Sequence, residues 1–383
     1  MTVYLDHAAT SPLRAEAFAA MRPWLTSSFG NPSGGHRVAR EARRAVDEAR
    51  DVVAAVLGCE PGEVVFTSGG TEADNLAVTG VLGAAAARGG PVGALCTAIE
   101  HHAVLHAVQA AGGHTVAVDA EARLDIDDLS ARLTPDIAFV SVMLANNEVG
   151  TVLDLSAARS VIAERAPAAV LHTDAVQAAP WLDVARLARP ADLVSVAAHK
   201  FGGPQGVGAL VVRRGVTVRP LLVGGGQERE RRSGTHNVAG IVGMAAALAA
   251  TAADRDAAAS RVAELRQRLV TAVKERMGGV TETVAGSPRL PNIAHLRVSG
   301  VESEALLVLL DEAGVCASAG SSCASGAMEP SHVLAAMGIP RDEARTALRL
   351  SLGRASTAAD VETAAAAVVE AGCRLRAPLA AAT

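Results

Sequence analysis

The sequence predicts an α/β protein that has a mostly parallel sheet in a large domain and a smaller α+β domain. Strand-like apolar runs alternate with helical patterns from residue 63 to residue 214, and this pattern changes after about residue 252. Half of the 383 residues are apolar, which is enough for a substantial core. We place the large domain at residues 14–252 and the small domain at residues 1–13 and 253–383.

The first long helix is predicted over 35–58, where apolar residues recur every three or four positions before Gly58. Strand candidates follow at 63–68, 91–98, 114–119, 136–144, 169–174, 192–198 and 207–214. Helical patterns between them include 72–89 and 155–167. This order predicts a mostly parallel sheet covered on both faces, with ligands bound beyond the carboxyl ends of its strands.

The small domain is predicted from a different pattern. A long charged helix covers 254–279, strand candidates follow at 292–300 and 347–354, and an alanine-rich helix ends the chain. Short strands mixed with helices in this way are typical of an α+β unit.

Composition excludes several classes of protein. A formal net charge of −5 gives no electrostatic reason to expect direct binding of nucleic acid. We expect no secretory signal and no membrane span, because charges or glycines interrupt the apolar stretches. The five cysteines are an odd number and lack the Cys-x-x-Cys spacing of a metal site, which favours free thiols in a reducing cytoplasm.

Lysine is rare in this chain, since only Lys200 and Lys274 occur among 35 lysine and arginine residues. A primary amine can lose its proton and add to a carbonyl, whereas a guanidinium stays charged. Lys274 lies on the polar face of a charged helix, but Lys200 ends an apolar run and precedes a glycine-rich turn. Lys200 is therefore a candidate Schiff-base lysine, and the alternative is a lysine-poor background with two chance survivors.

Other predicted strands also end in chemically reactive or polar groups. Gly70 and Thr71 stand between a strand and a helix, where backbone amides and a hydroxyl could bind phosphate. Two further strands end in Asp174 and Asn147, and His101 follows another strand. Each has a simpler explanation, such as an ordinary glycine turn or a helix cap. Their convergence on one edge of one sheet nevertheless favours a binding site.

Eleven segments together resemble the pyridoxal-phosphate-dependent cysteine desulfurases, in the branch with the iron–sulfur-cluster and nitrogen-fixation enzymes. They are YLDHAAT (4–10), FGNPS (29–33), FTSGGTEADN (66–75), IEHHAVL (99–105), NNEVG (146–150), TDAVQ (173–177), HKFGGPQG (199–206), RSGT (232–235), GSSCASG (320–326), EPSHVL (329–334) and RLSLGR (349–354). The resemblance covers nearly the whole chain and implies the fold-type-I transferase architecture.

The resemblance implies a role for each matching residue. Lys200 would carry pyridoxal 5'-phosphate as a Schiff base and move the substrate α-proton. Asp174 would pair with the pyridine nitrogen, and His101 would stack on the ring and act as an acid–base group. Asn147 and Gln177 would lie near the phenolic oxygen.

The phosphate and the substrate would have their own groups. The resemblance implies that the phosphate is held by Gly70, Thr71 and His199, and by Thr235 of a second subunit in a homodimer. Relatives often carry a serine where this chain has Ala197. Arg349 would bind the substrate carboxylate in a bidentate manner, and Arg354 falls on the opposite face of the same strand. Asn31 could assist, or it could only form the turn before Pro32.

The reaction type depends on Cys323, which lies among small residues. The resemblance implies that its thiolate takes sulfur from L-cysteine, releases L-alanine and passes a persulfide to a sulfur-acceptor protein. The remaining cysteines, Cys316 among them, read as packed small hydrophobes. The alternatives are an aminotransferase, which has no need of Cys323, a selenocysteine lyase, or a catalytically silent sulfur carrier. The acceptor could belong to iron–sulfur cluster assembly or to tRNA or DNA thiolation.

Overall fold

The computed structural model describes residues 2–320 and 331–377. The strands are β1 (Val3–Tyr4), β2 (Val64–Thr67), β3 (Gly93–Thr97), β4 (His114–Val116), β5 (Ile137–Ser141), β6 (Val170–Asp174), β7 (Leu193–Ala197), β8 (Gly208–Val212), β9 (Val280–Glu282), β10 (Ile293–Val298), β11 (Val315–Cys316) and β12 (Ala347–Ser351).

The helices lie between and after these strands. They are α1 (Ala15–Thr26), α2 (Arg37–Leu57), α3 (Gly70–Ala86), α4 (His102–Ala110), α5 (Ile126–Arg132), α6 (Leu155–Arg165), α7 (Val184–Leu187), α8 (Val238–Arg276), α9 (Ser303–Glu312), α10 (His332–Ala336), α11 (Arg341–Ala344) and α12 (Ala358–Arg376).

The central sheet has seven strands in the order β2-β8-β7-β6-β5-β3-β4. Five of them, from β7 to β4, run parallel, and β8 is antiparallel to both of its neighbours. The predicted mostly parallel sheet is confirmed. Successive residues of a strand enter different apolar cores, as Leu193 and Val194 do on β7, because side chains alternate across a sheet. Burial on both faces explains why these strands read as continuous apolar runs.

A second sheet is antiparallel, in the order β12-β10-β9. The N-terminal segment joins this part of the protein, because β1 pairs with β11 and Asp6 forms a bridge with Ser351. The predicted small-domain strands at 292–300 and 347–354 correspond to β10 and β12. The grouping of residues 1–13 with residues 253–383 in one domain stays a prediction. The division at 252/253 stays a prediction, since α8 runs through it as one helix of 39 residues.

Helix α8 is the one described helix that is long and apolar enough to cross a membrane by length and composition alone. Half of its most apolar stretch is buried in the protein. The helix packs against α1, α2 and α12. This environment is typical of a central helix in a protein core.

Four parallel strands, β3, β5, β6 and β7, end at the same edge of the central sheet. Each of these strands has, as its last residue or in the segment that follows it, a residue that the sequence analysis predicted to be functional: His101, Asn147, Asp174 and Lys200. The N-terminus of α3 follows β2 at the same edge. Because β2 is antiparallel to β8 and β8 is antiparallel to β7, β2 points the same way as the parallel strands. The fold therefore brings together groups that lie far apart in the sequence.

Candidate active site

A cleft of about 310 Å³ opens at this edge of the sheet. It is lined by nine of the residues that the sequence predicted: Gly70, Thr71, His101, Asn147, Asp174, Gln177, His199, Lys200 and Arg349. Their side chains come from six separate stretches of chain. The convergence that the sequence predicted is what the structure shows.

Lys200 ends a short turn of 3-10 helix directly after β7. Its Nζ atom donates to the carbonyl oxygens of Ala8 and Ala9, each at 2.7 Å. Burial and the positive charge of Arg349 lower the pKa of Lys200 to about 8, while Asp174 and Asp6 oppose this shift. A pKa near 8 leaves about a tenth of the amine neutral at pH 7, far more than for an ordinary lysine. The amine is thus suited to attack a carbonyl.

Asp174 is the last residue of β6 and is buried. Its Oδ1 atom accepts the backbone N–H of Val176 at 2.8 Å. Burial raises the pKa of Asp174 to about 6, although this hydrogen bond and the charge of Lys200 oppose the rise. The carboxylate is therefore mostly ionised at pH 7 and can hold a cationic ring nitrogen.

His101 and His199 line the cleft as neutral rings. His101 caps α4, and its Nδ1 atom accepts the N–H of Ala103 at 3.2 Å, so a neutral ring carries its proton on Nε2. Burial and the charge of Lys200 lower the pKa of His101 to about 4, and the same two causes lower that of His199 to about 4. Nδ1 of His199 lies 3.1 Å from the hydroxyl of Thr10.

One end of the cleft is formed by the first turn of α3. No side chain caps this helix, so its first backbone amides are available to a ligand. A Cβ atom at Gly70 would lie 3.0 Å from Cγ2 of Val176, so a larger residue here would require Val176 to shift. The helix dipole, the amides and the Thr71 hydroxyl together favour an anion. Ala197, at 3.5 Å from the same Cβ position, adds no hydroxyl here.

The donor set fits pyridoxal phosphate. An anion site at the N-terminus of α3, a buried carboxylate at Asp174 and an amine with a lowered pKa at Lys200 lie in one cleft. These match a phosphate, a pyridine nitrogen and an aldehyde, respectively.

Arg349 on β12 faces the cleft from the second sheet and is 5% exposed. Its Nη1 atom donates to the carbonyl oxygen of Asn147 at 2.9 Å, and Nη2 donates to Oδ1 of Asp6 at 2.8 Å. Gln177 donates from Nε2 to the carbonyl oxygen of Ala8 at 2.6 Å. With the contact between Thr10 and His199, the N-terminal segment thus bonds to four of the predicted site residues.

Among the described residues, two predicted ones are not part of the cleft lining. Asn31 and Thr235 are exposed, and Oδ1 of Asn31 accepts the N–H of Ser33 at 3.0 Å, as in a turn. Cys323 lies outside the described residues. The site roles of all three stay predictions.

Sequence reasoning missed Asp6, Asp74 and the carbonyl groups of Ala8 and Ala9. Backbone carbonyls leave no trace in residue type, so Ala8 and Ala9 could not have been singled out. Asp74 is an acid on the buried face of α3. An acidic residue among alanines and leucines of an apolar helix was a usable signal.

Known proteins are similar to this chain in sequence and in fold. The aminotransferase class-V family matches residues 3–363. The chain is 41% identical over 364 residues to cysteine desulfurase IscS of Dictyoglomus turgidum. This alignment covers 94% of this chain and 91% of that protein. A solved NifS-like protein superposes with a TM-score of 0.89 at 33% identity, over 97% of this chain and 99% of its own.

A further solved structure, SspA in complex with cysteine, superposes with a TM-score of 0.78 at 30% identity. It covers 92% of this chain and 99% of its own. The family match spans almost the whole chain, and the alignment with IscS covers 94% of it. The chain belongs to the class-V aminotransferase family, in its cysteine desulfurase branch.

Proposed function

We propose that this protein is a pyridoxal-phosphate-dependent cysteine desulfurase, which converts L-cysteine to L-alanine and leaves the sulfur on Cys323. The observation that carries the proposal is the pairing of a lysine of lowered pKa, Lys200, with the buried carboxylate of Asp174 in one cleft. The relatives named cysteine desulfurase and the SspA complex with cysteine support the choice of substrate.

The residues of the cleft would hold the cofactor at both ends. Gly70, Thr71 and His199 would bind the phosphate, and Asp174 would keep the ring nitrogen protonated. Lys200 would be the point of covalent attachment. When bound, pyridoxal phosphate withdraws electrons from the substrate α-carbon and so makes its proton acidic. Asn147 and Gln177 would face the phenolic oxygen.

Substrate orientation and proton movement fall to other groups. Arg349 presents a planar, nearly buried guanidinium that is suited to a carboxylate. Lys200 has an amine that can take up a proton near neutral pH, and His101 has a neutral ring with its proton on Nε2. We assign movement of the α-proton to Lys200 and a second acid–base role to His101. Asn31 would assist substrate binding.

Sulfur transfer needs no external oxidant. The thiolate of Cys323 would attack the sulfur of the substrate, so that the carbon–sulfur bond breaks and a sulfur–sulfur bond forms. The electron pair of the broken bond stays with the carbon skeleton, which takes up a proton and leaves as alanine. Cys323 is left as a persulfide, from which an acceptor protein takes the sulfur.

A persulfide assay tests this step. The purified protein, loaded with pyridoxal phosphate and given cysteine and a reductant, should release alanine and sulfide in equal amounts. The Cys323→Ala variant should lose sulfide release, while the matched Cys316→Ala variant should keep it. Equal sulfide release by the parent and the Cys323→Ala protein would contradict the proposal. Borohydride reduction and peptide mapping should place the cofactor on Lys200 and not on Lys274.

We also propose that the protein is a homodimer, in which Thr235 of one subunit binds the phosphate in the site of the other subunit. Thr235 is exposed and does not line the cleft of its own chain. Coexpression of Lys200→Ala and Thr235→Val chains distinguishes the two arrangements. If Thr235 acts across the interface, each mixed dimer regains one intact site and activity returns. If it acts within its own chain, no mixed dimer has an intact site.

The proposal also includes a cellular compartment and a class of sulfur acceptor. We place the enzyme in the cytoplasm, as a sulfur donor for iron–sulfur cluster assembly or for tRNA or DNA thiolation, without direct contact to nucleic acid. Transfer of labelled sulfur from Cys323 to candidate acceptor proteins would identify the pathway. Transfer to none of them would leave free sulfide as the product.

A further inference from the structure

The segment that carries Cys323 is joined to the described part of the protein at two points. The described chain ends at Gly320 and resumes at Ser331. We call residues 318–320 the first anchor and residues 331–332 the second anchor. Each anchor is bound close to the predicted site, and both of them contact the side chain of Glu148.

The first anchor is bound to β12 at Arg349. The backbone N–H of Arg349 donates to the carbonyl oxygen of Ser318 at 2.7 Å, and the N–H of Ser318 donates to the carbonyl oxygen of Arg349 at 3.2 Å. The N–H of Gly320 donates to Oγ of Ser318 at 3.1 Å. The first anchor therefore has a fixed position relative to the arginine that we propose to bind the substrate carboxylate.

The second anchor begins helix α10 and is bound beside the central sheet. The hydroxyl of Ser331 donates to Oε2 of Glu148 and accepts two backbone N–H groups of α10 at 3.1 and 3.2 Å. The one proton and both lone pairs of this buried hydroxyl are thus used. Nε2 of His332 lies 2.9 Å from the carbonyl oxygen of Glu100, the residue before His101. The second anchor is therefore attached to the segments that follow β5 and β3.

Both anchors contact the same carboxylate oxygen. A Cβ atom at Gly320 would lie 3.2 Å from Oε2 of Glu148, the atom that accepts the hydroxyl of Ser331. The φ angle of Gly320 is 97°, in the region that favours glycine, and the missing side chain lets the backbone approach Glu148 this closely. Residues 321–330 therefore begin and end beside one atom of one side chain.

Glu148 itself is held in place by the turn after β5. Its backbone N–H donates to Oδ1 of Asn146 at 2.9 Å, and Nδ2 of Asn146 donates to the carbonyl oxygen of Ile99 at 3.0 Å. Asn146 is fully buried, and Glu148 is 2% exposed. Asn147 lies between them, and its carbonyl oxygen accepts Nη1 of Arg349 at 2.9 Å. Glu148, Arg349 and the two anchors thus form one connected unit.

We propose that Glu148 is a positioning residue for sulfur transfer, which holds both anchors of the segment that carries Cys323 at a fixed place beside Arg349. Among the described residues, Glu148 is not one of those that line the cleft, so it acts through the segment and not on the substrate. A nucleophile reacts fast only when it is held close to the atom that it attacks. The inference rests on the proposed function, because it takes Cys323 as the group that accepts the sulfur.

The rate of persulfide formation in a single turnover measures this role. Glu148→Ala, loaded with pyridoxal phosphate and mixed with cysteine, should form the persulfide on Cys323 about tenfold to a hundredfold more slowly than the parent. Glu148→Gln should stay within about threefold of the parent, because an amide oxygen can still accept the hydroxyl of Ser331. An unchanged rate in Glu148→Ala would overturn the proposal.

A second readout separates positioning of the thiol from damage to the cleft. Exchange of the α-proton of L-alanine with deuterium from the solvent needs the cofactor and Lys200 but no thiol. Glu148→Ala should keep this exchange rate within about twofold of the parent while persulfide formation slows. Equal losses in the two rates would mean that Glu148 supports the cleft as a whole, and the proposal would be wrong.

A double-mutant cycle tests the contact between Glu148 and Ser331. Ser331→Ala removes the same hydrogen bond and also the cap of α10, but the loss of the cap cancels within the cycle. In the Ser331→Ala background, Glu148→Ala should slow persulfide formation by no more than about twofold. Additive losses would show that Glu148 does not act through Ser331, contrary to the proposal. If Glu148→Ala does not fold, Ser331→Ala alone must slow persulfide formation and spare the exchange of the α-proton.

Two further variants serve as controls. Glu282→Ala removes another mostly buried carboxylate, which bonds to Arg289 at 2.8 Å, and should keep the parent rate. A loss in Glu282→Ala as large as that in Glu148→Ala would assign the effect to lower stability and count against the proposal. Cys323→Ala separates this inference from the proposed function. If Cys323→Ala releases sulfide as fast as the parent, both fail; if it does not, while Glu148→Ala keeps the parent rate, only the role of Glu148 fails.

Discussion

Arg349 donates a hydrogen bond of 2.8 Å to Asp6, a residue at the opposite end of the chain. The pair is mostly shielded, because the side chain of Arg349 is 6% exposed and that of Asp6 is 23% exposed. A second bond to the carbonyl oxygen of Asn147 fixes the plane of the guanidinium. The proposed substrate-binding arginine is thus already paired with a carboxylate of its own chain.

We predict that Asp6→Asn lowers the KM for cysteine. Asparagine keeps an oxygen that can accept from Arg349 but removes the charge that competes with the substrate carboxylate. A gain of about 1 kcal/mol in substrate binding would lower KM about fivefold. Steady-state kinetics would measure it. Asp254→Asn is the control, because Asp254 pairs with Arg14 at an exposed site and should leave KM unchanged.

The pKa of Lys200 predicts how cofactor capture depends on pH. Only the neutral amine attacks an aldehyde, so the rate at which the cofactor-free protein binds pyridoxal phosphate should rise with pH and level off above about 8. Arg349→Gln should move the midpoint of this rate-against-pH curve to higher pH, because the charge of Arg349 lowers the pKa of Lys200. Stopped-flow absorbance would follow the reaction. A midpoint near that of free lysine, about 10.4, would contradict the prediction.

We predict that a serine in place of Ala197 strengthens cofactor binding at the phosphate site. Its side chain lies beside the first turn of α3 and offers no hydrogen bond. Ala197→Ser should tighten the binding of pyridoxal phosphate by about 1 to 2 kcal/mol, as a hydroxyl gains a bond to a charged group. Equilibrium titration of the cofactor-free protein would measure it. Thr71→Val should change the affinity in the other direction, and weaker binding by Ala197→Ser would show that serine does not fit here.

We predict that substitution of Glu228 strongly lowers the stability of the folded protein. Its buried carboxylate accepts from Arg50 at 2.7 and 2.8 Å, from the N–H of Phe66 at 2.9 Å and from His236 at 2.6 Å. Glu228→Gln leaves Arg50 buried without its charged partner, so the free energy of unfolding at pH 7 should fall by about 3 to 5 kcal/mol. Chemical denaturation would measure it.

The pH dependence of this effect has a definite sign. Burial raises the pKa of Glu228, but the bonds from Arg50 and His236 outweigh it and bring the pKa to about 2. Stability from this group is therefore present above the unfolded-state pKa of about 4.3 and is lost as the pH falls toward 2. The difference between parent and Glu228→Gln should shrink over that range. Glu48→Gln, at an exposed pair with Arg44, should show almost no difference at either pH.

The sequence by itself determined the type of fold and most of the site. Apolar runs alternating with helical patterns predicted the parallel sheet, because strands buried on both faces must be apolar throughout. Lys200, Asp174 and His101 could be singled out because each stands at or just after the end of a strand, and parallel strands end at one edge. The local sequence is sufficient to predict those features that depend only on residue type and on position along one strand or helix.

Only the tertiary structure decided what each group meets. The carbonyl groups of Ala8 and Ala9 bind Lys200, and Asp6 pairs with Arg349, because the N-terminal segment folds back onto the C-terminal sheet. Below Asp174, the ring of His172 on β6 likewise lies 2.9 Å from Ser141 on β5 and 2.9 Å from Ser195 on β7. Contacts between distant segments, and the pKa values that burial sets, depend on packing in three dimensions, which no local pattern records.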